Sequence, residues 1–309
     1  VSGLDDVRAQ DAAVSALRRA RDHGRIASAY LFDGPSGVGK ELAATQFATE
    51  VVSQGDPHIV DRIEAGAHPD LRVFRPRDEG KRNIQVEVLR TEILPLAQFA
   101  PFEADATFFI FPEADVSFPD FQPEAANALL KTLEEPRPGV HFILTSERPE
   151  SLLPTIRSRC QRVRFGRLPD SVLRDILRRE GVESEVATAA IALSAGRADV
   201  AMALAADGTV GELSDLVSSV DEAVRNGGPG LLVEVAERLA KRDDLELALL
   251  TLQSFYRDRA VASIDSSSSE ANASSACVSL IQECAVSMQQ NANRQSALDA
   301  LLFGLRNLR

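Results

Sequence analysis

The chain has 309 residues, 44% hydrophobic and 26% charged, long enough for two or three domains around a sizeable core. Its 34 basic residues face 46 acidic ones, and the net charge of −12 excludes a surface that wraps nucleic acid unaided, though not one that meets DNA inside a larger assembly. Cys160, Cys277 and Cys284 are odd in number and scattered, so the expectation is a reducing cytoplasm and no disulfide framework.

Residues 6–23 carry Val7, Val14 and Leu17 among Arg and Ala, the spacing of an amphipathic helix. Ala29-Tyr30-Leu31-Phe32 reads as an apolar strand, followed by Gly34-Pro35-Ser36-Gly37-Val38-Gly39-Lys40-Glu41 and an alanine-rich helix over 40–54. Strand, glycine loop and helix in this order make a P-loop, in which backbone N–H groups and a helix N-terminus aim at phosphates. Gly34, Gly37, Gly39, Lys40 and Glu41 are the candidates for a degenerate nucleotide-binding site; a retained turn that only shapes strand-to-helix packing is the plainer reading. Glu41 stands where a Ser or Thr hydroxyl is expected to meet Mg²⁺. A carboxylate can ligate the metal, but its charge opposes a polyphosphate.

Pro69-Asp70 precedes a short strand, Leu71-Arg72-Val73-Phe74; a charged loop then runs to about Arg82, and 84–98 reads as a helix. Thr107-Phe108-Phe109-Ile110-Phe111 is a buried-strand run. In a P-loop ATPase such a strand ends in an Asp that helps to hold Mg²⁺, often followed by a Glu that polarises the attacking water. Here Pro112 takes the Asp position and offers no ligand. Glu113 survives, either as a base without an organised metal or as a helix-start charge, and Asp115 lies too far along to be assumed a substitute. Hydrolysis at this site is not expected.

A helix over Glu124–Leu133 stops near Pro136, and His141–Thr145 and Val163–Phe165 read as strands. Strands alternating with helices imply a mainly parallel sheet covered on both faces. After Leu168-Pro169 the pattern is helical: three short helices over 170–206, broken by Gly181 and Ser194-Ala195-Gly196, then 212–225, 231–242, 244–263, 276–290 and 293–308. Ser266–Ser269 reads as a low-complexity loop. No apolar stretch approaches the ~18 residues of a membrane span. No secretory signal is visible, and a trimmed start stays open because the chain opens on Val1.

Two further strings are unusual: Ala125-Ala126-Asn127-Ala128-Leu129-Leu130-Lys131-Thr132-Leu133-Glu134-Glu135-Pro136, and Leu152-Leu153-Pro154-Thr155-Ile156-Arg157-Ser158-Arg159-Cys160-Gln161. With His68-Pro69-Asp70-Leu71 and Phe255-Tyr256-Arg257-Asp258 they resemble the clamp-loader branch of the AAA+ ATPases, strongly over 1–166, fairly over the next stretch, and by layout beyond. The resemblance implies an α/β P-loop AAA+ domain (1–166), a small helical lid (167–208) and a C-terminal all-α collar domain (209–309). It implies work inside a five-membered assembly with delta and gamma/tau subunits of bacterial DNA polymerase III, which places a sliding clamp on primer–template DNA. One member of such assemblies generally cannot hydrolyse ATP. Its Ser-Arg-Cys element, here Ser158-Arg159-Cys160, reaches a neighbour's ATP site, where Arg159 would act in trans on the γ-phosphate charge. The plainer reading of Arg159 is a surface ion pair, and Arg157 either supports it or meets solvent.

The same resemblance makes Thr145 the sensor-like hydroxyl, with strand-end packing as the plainer alternative. It places Asp199 rather than Arg197 nearest the second sensor position. Asn127, Lys131 and Glu134, at i, i+4 and i+7, share one helix face, near a subunit boundary in this family or simply solvated. Cys160 reads as a small apolar residue. No cofactor is required: weak ATP or ADP binding stays open, and no zinc is expected. The interval 54–67 has no cysteine, and His58 and His68 cannot make a four-ligand site alone. The leading expectation is a non-hydrolysing loader subunit. The alternatives are an autonomous gamma/tau-type ATPase and a nucleotide-sensing scaffold outside replication.

Overall fold

Ala29–Asp33 (β1), Leu71–Val73 (β2), Thr107–Phe111 (β3), Val140–Ser146 (β4) and Gln161–Arg164 (β5) form one sheet in the order β2-β3-β4-β1-β5, every pair parallel. β1 and β3 are buried along their whole length, as central strands covered on both faces must be. The computed structural model describes residues 3–76, 84–119, 123–206, 209–264, 267–289 and 292–308. The chain divides into two compact units, Val1–Pro169 and Asp170–Arg309.

Alternation along β3 sends its phenylalanines to opposite faces. Phe108 meets Phe47 of helix Lys40–Ser53 and stacks on His141, whereas Phe109 stacks between Phe74 and Phe142. The second face continues into helix Pro123–Glu134, whose Ala126, Leu129 and Leu133 join Phe109, Phe142, Leu152 and Ile156 in one apolar cluster. Register puts Asp33 opposite Ser146, and Phe111 opposite Leu144. The carboxyl ends of β1, β3 and β4 therefore open onto one edge, where ligands of open parallel sheets bind.

His68-Pro69-Asp70-Leu71 has a structural explanation. The buried Asp70 carboxylate accepts from the backbone N–H of Phe102 (2.8 Å), Glu103 (2.8 Å) and Ala104 (3.0 Å) and from Thr107 Oγ1 (2.6 Å), fixing the loop that enters β3. Burial alone would raise its pKa; the four hydrogen bonds outweigh that and hold it below the usual carboxylate range.

Several expected elements differ in detail. The first helix spans Asp11–Asp22, preceded by a short 3-10 turn at Leu4–Asp6, because Ala9 takes a left-handed conformation and breaks the run. Helix Pro57–Glu64 was not anticipated, although Pro57 at its first position and Asp56, which accepts from His58 N–H at 2.9 Å, are ordinary start signals. The helix expected over 84–98 is a composite: α at Val86–Val88, π at Leu89–Ile93, α at Leu94–Leu96. Pro95 has no N–H for the carbonyl four residues back, and the wider turn absorbs that gap. The charged loop to Arg82 lies partly outside the described residues.

In the second unit Asp170–Arg179, Ser184–Ser194 and Ala198–Ala205 are followed by Thr209–Asn226, Pro229–Ala240, Leu245–Ser263, Ser268–Gln289 and Arg294–Asn307. The stretch expected as the collar, and the expected lid apart from its residues 167–169, lie in it. The serine run is a helix start rather than a loop: Ser267 Oγ accepts from Glu270 N–H (3.3 Å) in a Ser-x-x-Glu cap, and the helix begins at Ser268. Ser266 lies outside the described residues. The Phe255-Tyr256-Arg257-Asp258 segment supplies buried Tyr256, whose hydroxyl donates to Asp221 (3.3 Å), and Asp221 also pairs with Arg225 and Arg259. Among the described residues no helix is long and apolar enough to cross a membrane.

Candidate functional site: the P-loop edge and the Arg159 surface

Gly34 leaves β1 at φ 155°, with its N–H on Ser146 O at 3.1 Å. A Cβ there would lie 2.3 Å from Phe165 O, so the close approach of the chain after β5 demands glycine. Gly37 (φ 66°) and Gly39 (φ 92°) are left-handed, and Gly39 is the N-cap of helix Lys40–Ser53. Such alternation turns successive N–H groups toward one concavity, an anion cradle at a helix N-terminus. Lys40 is buried, its Nζ donating to Gly34 O (2.7 Å) and to Pro35 O. Buried Gln10 holds the loop from behind: its amide donates to Gly166 O (2.8 Å), accepts from Gly166 N–H (2.9 Å), and reaches Val38 O at 3.4 Å.

Glu41 is half-exposed and ion-paired with Arg75, just beyond β2, so its charge is compensated before any phosphate arrives. Pro112 is buried and offers no donor atom to a cation. Glu113 takes a left-handed conformation (φ 47°, ψ 50°) with its side chain exposed, and its N–H donates to the buried Thr145 Oγ1 at 3.3 Å. Thr145 thus ties the ends of β3 and β4 together. Asp115 is buried and committed elsewhere: it accepts from Ser146 Oγ (3.0 Å), Glu147 N–H (3.3 Å) and Arg148 Nε (3.2 Å). The loop keeps the glycines and the lysine of a phosphate-binding turn, while the hydroxyl and the strand-end carboxylate that would hold Mg²⁺ are replaced by Glu41 and Pro112.

On the other part of this unit the two long strings meet. Leu152, Leu153, Ile156 and Cys160 pack into or against the apolar cluster that also takes Leu129 and Leu133. That anchoring brings Arg159 to the end of helix Pro123–Glu134, where its Nη2 pairs with Glu134 and its Nη1 donates to Thr155 O at 2.9 Å. The Arg159 side chain remains 32% exposed, while Asn127, Lys131 and Glu134 form an exposed face. Arg157 is exposed as well. Burial pushes the Cys160 thiol up to about 12, which removes it as a nucleophile.

His68 is buried with Nδ1 accepting from Asp70 N–H at 3.2 Å, and His58 lies in the first turn of helix Pro57–Glu64. Arg197 and Asp199 belong to the second unit, where they pair at 3.2 Å; Asp199 also accepts from Val200 N–H at the start of Ala198–Ala205. Arg75, Gln10 and Arg148 were not anticipated. Each acts through a partner more than two dozen residues away, which periodicity does not reveal.

The sheet order, the P-loop leaving β1 and the following helical unit define a P-loop α/β protein of the AAA+ class. Residues 9–169 match the family described as DNA polymerase III, delta subunit, and the chain belongs to that family. Its similarity extends to DNA polymerase III subunit delta' of Bacillus subtilis, 33% identical over 170 residues (53% of this chain, 49% of that one), and of Haemophilus influenzae, 29% identical over 240 residues (74% and 71%). Subunit tau of B. subtilis is 29% identical over 239 residues, 75% of this chain and 40% of that one. The chain covers about half the length of the first curated relatives it matches, 49% and 42%. Among solved structures, a DNA polymerase III gamma subunit-related protein from Thermotoga maritima aligns with a TM-score of 0.46 at 19% identity, over 95% of this chain and 99% of its own.

Proposed function

We propose that this chain is the non-hydrolysing stator of a bacterial replicative clamp loader, the role that delta' subunits fill. In this reading it assembles in the cytoplasm with delta and gamma/tau subunits and helps to place a sliding clamp on primer–template DNA. It lends Arg159 to a neighbour's ATP site. One observation carries the reading: a surface guanidinium from the Ser-Arg-Cys element sits on the same unit as a P-loop whose metal ligands are replaced. The net charge of −12 fits a subunit that meets DNA through its partners.

The test is reconstitution with the same organism's delta and gamma/tau subunits, measuring clamp- and DNA-stimulated ATPase for wild type and Arg159→Ala. The expected loss at the neighbouring site is on the order of 10³ or more, with assembly intact by size exclusion. Unchanged turnover in an intact assembly would leave a purely architectural subunit.

A second reading, an ATPase of gamma/tau type, draws on the similarity to tau over 75% of this chain and on the retained Gly34, Gly37, Gly39 and Lys40. It requires Mg²⁺-dependent hydrolysis by the isolated chain.

A further inference from the structure

The exposed face of helix Pro123–Glu134 ends in Glu134, whose carboxylate pairs with the guanidinium of Arg159. We propose that Glu134 is a positioning residue for Arg159, which holds the guanidinium in place before a neighbouring subunit's phosphate arrives; the proposal rests on Arg159 acting in trans.

The geometry separates a brace from a restraining latch. Thr155 O and Glu134 each take one N–H, so of the five donors on a guanidinium three are left for a phosphate. The two side chains are 32% and 46% exposed, and solvent screens such a pair. It is too weak to withhold the guanidinium from a multiply charged phosphate, where charge-assisted bidentate contacts form. It is strong enough to bias the rotamers of a long side chain that the phosphate would otherwise have to freeze by itself. The anchors sit on both sides of the contact: Leu129 and Leu133 beneath Glu134, Ile156 and Cys160 flanking Arg159. Both long strings thus build one small device. Its carboxylate comes from the first, its guanidinium from the second.

The experiment uses the reconstituted loader with Glu134→Ala, Glu134→Gln, Arg159→Ala and the Glu134→Ala/Arg159→Ala double variant. Glu134→Ala and Glu134→Gln are expected to lower kcat about two- to five-fold with KM unchanged, the range that loss of a solvent-screened ion pair produces. In the Arg159→Ala background Glu134→Ala is expected to cost nothing further, because the partner is already gone. On the full chain alone, the Arg159 Nη–Hη NMR signals are expected to be resolved from one another in wild type, where Nη1 and Nη2 are held by different acceptors, and averaged by guanidinium rotation in Glu134→Ala. The proposal is overturned by any of three results: a large loss in Arg159→Ala with none in Glu134→Ala; the same loss from Glu134→Ala in both backgrounds; or Nη–Hη signals unchanged by Glu134→Ala. A loader indifferent to Arg159→Ala removes the trans role itself, and this proposal with it.

Discussion

Glu41, at the position where a hydroxyl would meet Mg²⁺, is paired with Arg75 from just beyond β2. The carboxylate neither opposes a phosphate unchecked nor stands ready for a metal. ADP binding by the isolated chain, followed by titration of a fluorescent ADP, is therefore expected to be insensitive to exchange of Mg²⁺ for EDTA. Arg75→Ala leaves Glu41 uncompensated and is expected to weaken binding about three- to five-fold. Affinity that rises with Mg²⁺ would show a metal site assembled from other groups.

Asp70 gives a stability prediction with a definite pH sign. Asp70→Ala strands three backbone N–H groups and the Thr107 hydroxyl, at a cost of roughly 3 kcal/mol in urea denaturation. Because the folded-state pKa is lowered, the contribution is present above the unfolded value of about 4 and lost as pH falls through the folded one. Wild type should lose this stability on acidification below about pH 4; Asp70→Ala should lack that component of the acid transition.

Gly34→Ala is expected to destabilise the first unit by about 3 kcal/mol, since the added methyl meets a backbone oxygen rather than a movable side chain. Truncating Phe165 to Ala in the same chain should not restore stability, and thermal melts of both variants decide the matter.

Tyr256→Phe should cost about 1 kcal/mol through loss of the hydroxyl contact with Asp221. Asp221→Ala should cost more, because Arg225 and Arg259 lose the same carboxylate. Comparing chemical denaturation of the two variants tests whether Asp221 organises this part of the helical unit.

Cys160 should resist alkylation. With its thiol at about 12 the thiolate fraction at pH 8 is about 10⁻⁴, so iodoacetamide should label it only on unfolding, as peptide mapping would show.

The central strands were legible because each is a short run of buried residues, and Thr107–Phe111 has the same limits in sequence and structure; the edge strand expected at Val163–Phe165 runs instead over Gln161–Arg164, where only Val163 is buried. The P-loop was legible for a different reason: its glycines are needed one by one, and Gly34 shows the close backbone approach directly. What stayed hidden was pairing across the chain. Nothing in the spacing of Glu41 says that Arg75 will reach it, and nothing around Arg159 points to Glu134, 25 residues earlier. Composition misled at Ser266–Ser269, where a polar tract proved to contain a helix cap. Pro95, inside the stretch expected as one helix, is the sequence signal that matches its π segment.

The Gln10 side chain clips Gly166 by both faces of its amide, across 156 residues of sequence, and touches Val38 in the P-loop. The first unit is thereby drawn shut like a purse, with one knot near its two openings. A displacement of the chain at Gly166 is therefore felt at the P-loop through a single amide, which holds Gly166 and Val38 at once.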